Sequence, residues 1–477
     1  MNFKMIKNIL GWILIFEAGF MLIPLLTAVI YSEQTFWAFF ISICVCLLFG
    51  FMLIWKRPQS TTLYSREGFI IVSLSWIILS IFGALPFYIS REIPSYIDAL
   101  FETVSGFSTT GSSVLTDVEA LSHASLIWRS FTNWIGGMGV LVFVMAFVSL
   151  SGGNNLHIMK AESPGPSVSK LVPKIKTTAA ILYLIYISLT VIEFILLLCG
   201  NMPVFDAICA SFSTAGTGGF GIKNDSFNSY SSYSQIIVTV FMFLFSINFA
   251  SYYLILIRKF KDAFTSEVKC FVAIVISAIA IIAINTRGFF GSLGEAIKHV
   301  SFTVVSIIST TGFVTADFNL WPELSRTCIV ILMFVGACAG STSGGIKISR
   351  FIILAKSMFK ELHLLIHPKQ VKKISIDKHP IDHEVVRATN VYMVCYIMIF
   401  AASTLLISFG DHDLITSFTV VASTINNIGP GLEMIGPTQN FAFFNPAEKL
   451  LLCFNMLAGR LELFPMLLLF SPTTWKK

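Results

Sequence analysis

The sequence predicts an all-α polytopic membrane protein, in which four pseudo-symmetric repeats of helix, pore helix and helix surround one central pore and follow two leading transmembrane helices. Of its 477 residues, 55% are hydrophobic and only 12% are charged, whereas soluble domains have about 25% charged residues. Several apolar runs reach the length of about 20 residues that a helix needs to cross a bilayer. A polar turn centred on glycine also recurs four times at similar intervals.

The four turns have the same spacing between a glycine and a preceding serine. They read Ser108-Thr109-Thr110-Gly111-Ser112, Gly216-Thr217-Gly218-Gly219-Phe220, Ser309-Thr310-Thr311-Gly312-Phe313 and Asn426-Asn427-Ile428-Gly429-Pro430. When they are aligned on Gly111, Gly219, Gly312 and Gly429, each has a serine six residues earlier, at Ser105, Ser213, Ser306 and Ser423. In hydrocarbon, irregular backbone is tolerated only where protein buries it or where it lines a water-filled cavity. The turns are therefore predicted to surround one axis.

The glycines indicate what the turns bind. Glycine reaches positive φ without a Cβ clash, so successive carbonyl oxygens can point inward and replace the water shell of a monovalent cation. Such turns are also common in ordinary loops, but four copies beside hydrophobic segments favour an ion filter. The predicted ion-binding residues are Thr109, Thr110, Gly111, Thr217, Gly218, Gly219, Thr310, Thr311, Gly312, Asn427, Ile428 and Gly429.

Along the chain, helices are predicted first at 8–31 and 36–55. Four units follow, each a spanning helix, a half-helix, the polar turn and a return helix: 68–89, 96–107 and 126–150; 177–200, 204–215 and 234–257; 268–285, 295–308 and a helix from 324; 388–409, 413–425 and 446–470. Each half-helix is too short to cross, so it must re-enter and end at mid-membrane. The unpaired carbonyls at its C-terminal end favour a cation and disfavour an anion.

The predicted boundaries are 1–60 for the two leading helices and 61–165, 166–262, 263–375 and 376–477 for the four pore repeats. Each unit begins and ends on the same side, so the units are parallel and one chain supplies the whole filter. Most of the 32 Lys and Arg residues fall in segments assigned to one side. By the positive-inside rule this side is the cytoplasm, and both termini lie there.

A gate is predicted where the return helix of the third unit is interrupted. Only the segment from Thr327 to Cys338 is apolar before a glycine-rich stretch begins. Broken helices at membrane depth line cavities or gates; alternatively, the helix simply ends early at the cytoplasm, since Lys347 and Arg350 follow closely. The predicted gate residues of this stretch are Gly336, Gly340, Ser341, Thr342, Ser343, Gly344 and Gly345.

Two charged residues lie inside predicted helices, where a charge is costly unless it faces water or a partner. Arg460 lies near the middle of the last helix, and Glu462 is too close in sequence to point the same way. Arg460 is therefore predicted to face the pore below the filter, to bond carbonyls of the 336–345 loop and to act as part of the gate. Glu17 is a functional candidate by default, but a structural contact is favoured because the sequence offers it no partner.

Other motifs are weak. The stretch Gly216 to Gly221 matches the dinucleotide pattern G-x-G-x-x-G but follows no strand, and the phosphate-loop-like run before Lys347 places its lysine one position late. His363 and His367 have i, i+4 spacing without the glutamate of a zinc protease. The nine cysteines lie mostly in apolar segments and favour packing. The sequence thus predicts no catalytic residues, no cofactor in this chain and no nucleic-acid partner.

Several longer motifs carry a family resemblance. They are FETVSGFSTTG at 101–111, WRS at 128–130, WIGGMG at 134–139, KAESPGP at 160–166, CAGSTSGGIK at 338–347, NNIGPG at 426–431 and GRLE at 459–462. With them, essentially the whole chain resembles the Trk-type bacterial potassium uptake proteins, specifically the TrkH/TrkG membrane subunits. The leading helices also look more like TrkH than like the related Ktr-type subunit. The departures are Ser343, where the family commonly has glycine, and Gly221, where it commonly has serine.

The resemblance implies a homodimer with one pore per protomer and a cytoplasmic, nucleotide-binding (TrkA-like) regulatory ring as partner. It also implies that the 336–345 loop and Arg460 form the intramembrane gate. In the wider superfamily, glycine in the first filter turn accompanies potassium and serine accompanies sodium, so Gly111 indicates K+.

The predicted function is uptake of K+ across the bacterial inner membrane, with membrane lipid around a multi-pass bundle. Within transport, a sodium- or proton-coupled potassium symporter or a non-selective monovalent cation channel are the alternatives. From another class, a membrane enzyme or receptor would need paired ionisable residues within the bundle, and the sequence offers few.

Overall fold

The computed structural model describes residues 1–56, 64–139, 175–370, 373–377 and 379–475, which are mostly helical. The helices are α1 (Phe3–Phe20), α2 (Leu22–Ile30), α3 (Phe36–Ile54), α4 (Ser65–Gly83), α5 (Leu85–Ile89), α6 (Tyr96–Phe107), α7 (His123–Gly137), α8 (Ile175–Cys199), α9 (Val204–Gly216), α10 (Ser232–Phe245), α11 (Phe249–Leu256), α12 (Phe260–Ala263), α13 (Ser266–Asn285), α14 (Leu293–Ile308), α15 (Glu323–Phe334), α16 (Ile348–Ile366), α17 (His383–Ile407), α18 (Leu414–Ile425), α19 (Pro446–Arg460), α20 (Phe464–Phe470) and α21 (Pro472–Trp475). Short 3-10 helices cover Phe318–Leu320, Ser408–Gly410 and Glu433–Ile435, and strands β1 (Ser375–Ile376) and β2 (His379–Pro380) pair antiparallel.

Six helical segments in these ranges are long and apolar enough to cross a membrane: Phe3–Ile30, Phe36–Ile54, Arg66–Ile89, Ala179–Cys199, Ser266–Asn285 and His383–Gly410. They correspond to the two leading helices and the first helix of each predicted unit. Large apolar side chains such as Leu48, Ile195 and Ile284 are exposed along them, as expected of a surface that lipid tails cover. The continuous return helix predicted at 126–150 is wrong, because α7 begins at His123 and ends at Gly137. Residues 140–150 and the motif at 160–166 lie outside the described ranges.

The return helices differ most from the sequence prediction. The continuous helices predicted at 234–257 and 446–470 are wrong, because α10 and α11 meet at an angle of 91° and three residues separate the end of α19 from the start of α20. Asn248 starts α11 by accepting a hydrogen bond from Ala250 N–H at 2.8 Å, which is a typical N-cap. Pro465 lies in the first turn of α20, where its missing N–H costs nothing. The third return helix, α15, ends at Phe334, so the predicted interruption is present.

Four short helices, α6, α9, α14 and α18, match the predicted half-helices to within two residues at each end. Side chains stop three of them from extending backwards, because Ser95, Ser292 and Asp413 accept hydrogen bonds from N–H groups of the first turn. Two apolar clusters surround these helices. One joins the leading helices to α6, α7 and α19, and the other joins α10, α13, α14 and α15. The polar turns thus lie inside the protein; the unit boundaries drawn above stay a prediction.

Candidate functional site

Each of the four short helices ends in the same backbone motif. The residue two before the glycine is left-handed, and its N–H bonds back three residues, while the next N–H bonds back five residues to the recurring serine. The closing bonds, all 2.9 Å, run from Thr110 to Ser105, Gly218 to Ser213, Thr311 to Ser306 and Ile428 to Ser423. The left-handed residues are Thr109, Thr217, Thr310 and Asn427, with φ of 57°, 52°, 57° and 56°. This is the Schellman helix end, and the serine register in the sequence marks it.

The glycines that follow are also in the positive-φ region, and each touches the next turn. Their φ values are 80° for Gly111, 70° for Gly219, 84° for Gly312 and 102° for Gly429. A methyl group built on them would lie 2.3 Å from Gly218 O, 1.8 Å from Thr311 O, 2.1 Å from Ile428 O and 2.9 Å from Thr110 O, in that order. The contacts run from the first turn to the second, third and fourth and back to the first. The four turns therefore close a ring, in which any side chain at the glycine would strike a backbone carbonyl.

The polar side chains of the turns hold this ring together. Ser108 and Ser309 each bond the hydroxyl of a threonine two residues on at 2.7 Å. Asn427 donates its amide to Thr110 Oγ1 at 2.9 Å, which ties the fourth turn to the first. Two of the recurring serines help as well, because Ser306 Oγ donates to Phe313 O and Ser423 Oγ to Gly429 O. The threonine hydroxyls thus mainly position the backbone.

The ring has no charged side chain in any of its four turns, yet its potential is not neutral. Four helix C-terminal ends converge on it, and each carries about half a negative charge from unpaired carbonyls. The flanking side chains are buried: Thr109, Thr217 and Asn427 are all fully buried. The convergence of four helix C-terminal ends on a buried site favours a cation there and disfavours an anion.

Below the third turn, the glycine-rich segment forms a loop whose two ends meet. Gly336 N–H donates to Ile346 O at 2.9 Å, and Gly340 and Gly345 are in the positive-φ region. Gly344 N–H donates to Thr310 Oγ1 at 2.7 Å, so the loop contacts the ring directly. Lys347 is buried and donates its ammonium to Ser343 O within the loop. The segment after α15 is therefore a buried loop between two helices, as expected if the helix is broken there.

The loop rests on the break between α10 and α11, which sequence reasoning missed. Helix ends leave carbonyls unpaired, and here the loop supplies their donors. Cys338 N–H bonds Ser246 O at 3.2 Å, and Thr342 Oγ1 bonds Phe245 O at 3.2 Å. In return, Phe249 N–H donates to Gly340 O at 3.0 Å. The signal in the sequence was the polar pair Ser246 and Asn248 inside an otherwise apolar run.

A second missed residue, Glu267, ties the loop to the start of the helix that follows it. It lies in the first turn of α13, and Oε1 accepts from Ala339 N–H at 2.8 Å and from Ser349 N–H at 3.1 Å. Ala339 lies inside the loop beside Gly340, and Ser349 lies in the first turn of α16, just after the loop. A single carboxylate therefore fixes how far the loop can separate from the start of α16.

Arg460 contacts the loop, as predicted, and also a second unit. Nη1 donates to Thr342 O at 2.7 Å, and Nη2 donates to Gly136 O at 2.6 Å and Gly137 O at 2.8 Å at the end of α7. It lines a cavity of about 100 Å³ together with loop residues. Glu462 forms an ion pair with Arg350, whose guanidinium carbon lies 3.8 Å from the Tyr392 ring centroid.

Two other sequence candidates lie away from this arrangement. Glu17 is fully buried in α1 against Gly83, and within the described part of the chain its carboxylate oxygens have no hydrogen-bond partner. His363 lies half-buried in the last turn of α16, and His367 follows the helix and is exposed, with their ring centroids 5.0 Å apart. Across the described ranges, no group of three or more His, Cys, Asp or Glu side chains is placed to hold a metal ion.

Comparison with known proteins gives a consistent result. A family model described as "TrkH: Cation transport protein" matches residues 36–477. The chain is 35% identical to the Trk system potassium uptake protein TrkH of Salmonella typhimurium, covering 100% of both chains. It is 32% identical to TrkG of Escherichia coli (strain K12), covering 99% of both. The crystal structure of the potassium transporter TrkH from Vibrio parahaemolyticus superposes with a TM-score of 0.90 at 32% identity, over 100% of both chains.

Proposed function

The chain belongs to the TrkH family of cation transport proteins, and from that premise we propose that it carries K+ into the bacterial cell through the ring of four glycine turns. The protein is a membrane transporter and not an enzyme. The observation that carries the proposal is the closed ring of contacts among Gly111, Gly219, Gly312 and Gly429. A ring of backbone oxygens at the ends of four re-entrant helices can replace the hydration shell of a dehydrated monovalent cation.

The ligands that we assign to K+ are backbone carbonyls of the three residues up to and including each glycine. The residues are Thr109, Thr110 and Gly111; Thr217, Gly218 and Gly219; Thr310, Thr311 and Gly312; and Asn427, Ile428 and Gly429. The choice of K+ over other cations is supported by the names of the relatives, which are potassium uptake proteins. It also agrees with glycine, rather than serine, at position 111.

The gate in this proposal is the loop with Arg460. The guanidinium bridges Thr342 of the loop to Gly136 and Gly137 of α7, so it crosses the space below the ring. A fixed positive charge there raises the energy of a passing cation. Opening then requires that Arg460 release the loop and that the loop move away from Thr310.

The direction of transport follows from the membrane potential. Each unit charge gains about 2.3 kcal/mol per 100 mV of inside-negative potential, so no cofactor is needed within this chain. We further propose that the termini face the cytoplasm of an inner-membrane protein, in line with the distribution of its Lys and Arg residues. The assembly that we propose is a homodimer whose loop is controlled by a cytoplasmic nucleotide-binding ring.

The test is flux into proteoliposomes that contain the purified full-length protein. We expect an inside-negative potential to drive uptake of radioactive rubidium, K+ to compete with it strongly, and Na+ to compete weakly. Equal competition by Na+ would refute selectivity and leave a non-selective channel. Rubidium uptake that requires Na+ or a proton gradient would instead establish coupled symport.

A further inference from the structure

A fully buried ion pair lies behind the first turn of the ring. Arg129 of α7 and Glu102 of α6 are 2.8 Å apart, and their side chains are 2% and 0% exposed. Burying two charges is costly unless every donor and acceptor finds a partner. Here Glu102 accepts from Ser113 Oγ at 2.9 Å and from Val114 N–H at 3.1 Å. Arg129 also donates to Gly221 O at 3.1 Å.

These partners are the residues by which two neighbouring turns leave the ring. Ser113 and Val114 follow Gly111 by two and three residues, and Gly221 follows Gly219 by two. The Arg129 guanidinium also lies 4.2 Å from the centroid of the Phe220 ring. Phe220 is the residue between Gly219 and Gly221. The pair thus joins the outgoing ends of the first and second turns.

The fourth unit also forms a hydrogen bond with Ser113. The carbonyl of Ser113 accepts from Phe441 N–H at 2.8 Å, while its hydroxyl lies between Glu102 and Arg129. Ser113 therefore joins the first and fourth units, and Arg129 extends the connection to Gly221 of the second.

Within the described residues, Glu102 and Arg129 form the one ion pair in which both side chains are almost fully buried; Arg326 and Glu433 also join the third and fourth units, but Glu433 is 40% exposed. The residue nine positions before the ring glycine is Glu102 in the first unit, and Ala210, Thr303 and Val420 in the others. Between the second and third units, the corresponding connection is a backbone bond from Phe227 N–H to Val314 O at 3.0 Å. The ion pair of Glu102 and Arg129, which we call the clamp, therefore breaks the four-fold pattern. Its charge-assisted hydrogen bonds are stronger than neutral ones.

We infer that Glu102 and Arg129 are positioning residues that fix the spacing between the first and second turns and thereby set the discrimination of K+ from the smaller Na+. The inference rests on the proposed function. An ion ring selects by the number and spacing of its oxygens. If the outgoing ends of two turns are free to shift, their carbonyls can close around a smaller ion.

The test compares variants of the clamp with a control variant of a second ion pair, one member of which lies on the same helix as Glu102. Glu102→Gln keeps the shape of the side chain but turns an NH2 group toward donors, and Arg129→Lys keeps the charge but loses the planar fork that reaches Glu102 and Gly221 together. Ser113→Ala removes only the shared hydroxyl. The control is Asp98→Asn, one helical turn earlier, since Asp98 bonds Lys449 at 2.7 Å and touches no residue of the ring.

The measurements are rubidium uptake by proteoliposomes of each full-length variant, with the Na+ concentration that halves it, and the thermal midpoint of the purified protein. We expect Glu102→Gln and Arg129→Lys to lower the K+-over-Na+ ratio about tenfold, which corresponds to ~1.4 kcal/mol, and Ser113→Ala to lower it a few-fold. Asp98→Asn is expected to lower the thermal midpoint and leave the ratio unchanged.

The outcomes distinguish a failure of this inference from a failure of the proposed function. If the wild-type protein shows no K+ preference, the proposed function fails. If the wild type is selective and the clamp variants keep its ratio, or if Asp98→Asn changes the ratio equally, only the inference fails. Should either charge variant not fold, Ser113→Ala decides, because it removes the hydroxyl through which the pair holds the outgoing end of the first turn; an unchanged ratio would then refute the clamp.

Discussion

Replacing Gly312 by serine tests the ring most directly. A Cβ atom at this position would lie 2.1 Å from the carbonyl oxygen of Ile428, whereas ordinary contacts begin at 3.4 Å. The third and fourth turns must therefore separate by about 1.3 Å, the difference between these two distances. The φ of 84° adds strain, because a left-handed conformation costs a residue with a Cβ roughly 1–2 kcal/mol.

A separation of this size changes the spacing of the oxygens by which an ion ring selects its ion. We expect Gly312→Ser to lower the K+-over-Na+ ratio of rubidium uptake at least tenfold, which is ~1.4 kcal/mol of lost discrimination. The assay is uptake into proteoliposomes with Na+ as competitor. The matched control is Gly288→Ser, since a Cβ atom there meets nothing within 4 Å. Gly312→Ser protein that folds and keeps the wild-type ratio would refute the assignment of this turn to the ion site.

Three further substitutions address the gate and the leading helices. Arg460→Ala removes the bonds to Thr342, Gly136 and Gly137, so rubidium uptake is expected to rise several-fold with unchanged selectivity; slower uptake by folded protein would contradict a blocking role. Glu267→Gln weakens the hold on Ala339 and Ser349 and should also raise uptake, while the exposed Glu295→Gln serves as control. Glu17→Leu removes a buried carboxyl that has no partner within the described chain and should stabilise the protein by about 1–3 kcal/mol; a lower thermal midpoint would indicate that the carboxyl has an essential contact.

Some of the site could be predicted because its signals are local. The recurring serine predicted a common turn, and its carbonyl is the one that closes every short helix. The contact of Arg460 with a carbonyl of the loop followed from the cost of an unpaired charge in a membrane. The interruption after Phe334 followed from the density of glycine.

Other contacts had no local signal. Ser246 and Asn248 mark the break after Phe245, but nothing near them in the sequence indicates that the free carbonyls find donors in Cys338 and Thr342, more than ninety residues later. The motifs that contain Glu102 and Arg129 carry the family resemblance, but nothing in either motif indicates that the two side chains meet. Glu267 looked like an ordinary acidic residue in the first turn of a helix.

By itself, the sequence determined what each segment does within its own backbone: which runs are apolar enough to span, where short helices stop, and which positions need glycine. Only the tertiary structure decided which turn touches which, that the four glycines close a ring, and which carbonyls the charged side chains bind. The reason is physical. Helix formation and positive φ depend on neighbours in the chain, whereas the partner of a buried polar group depends on which distant segment packing brings within 3 Å.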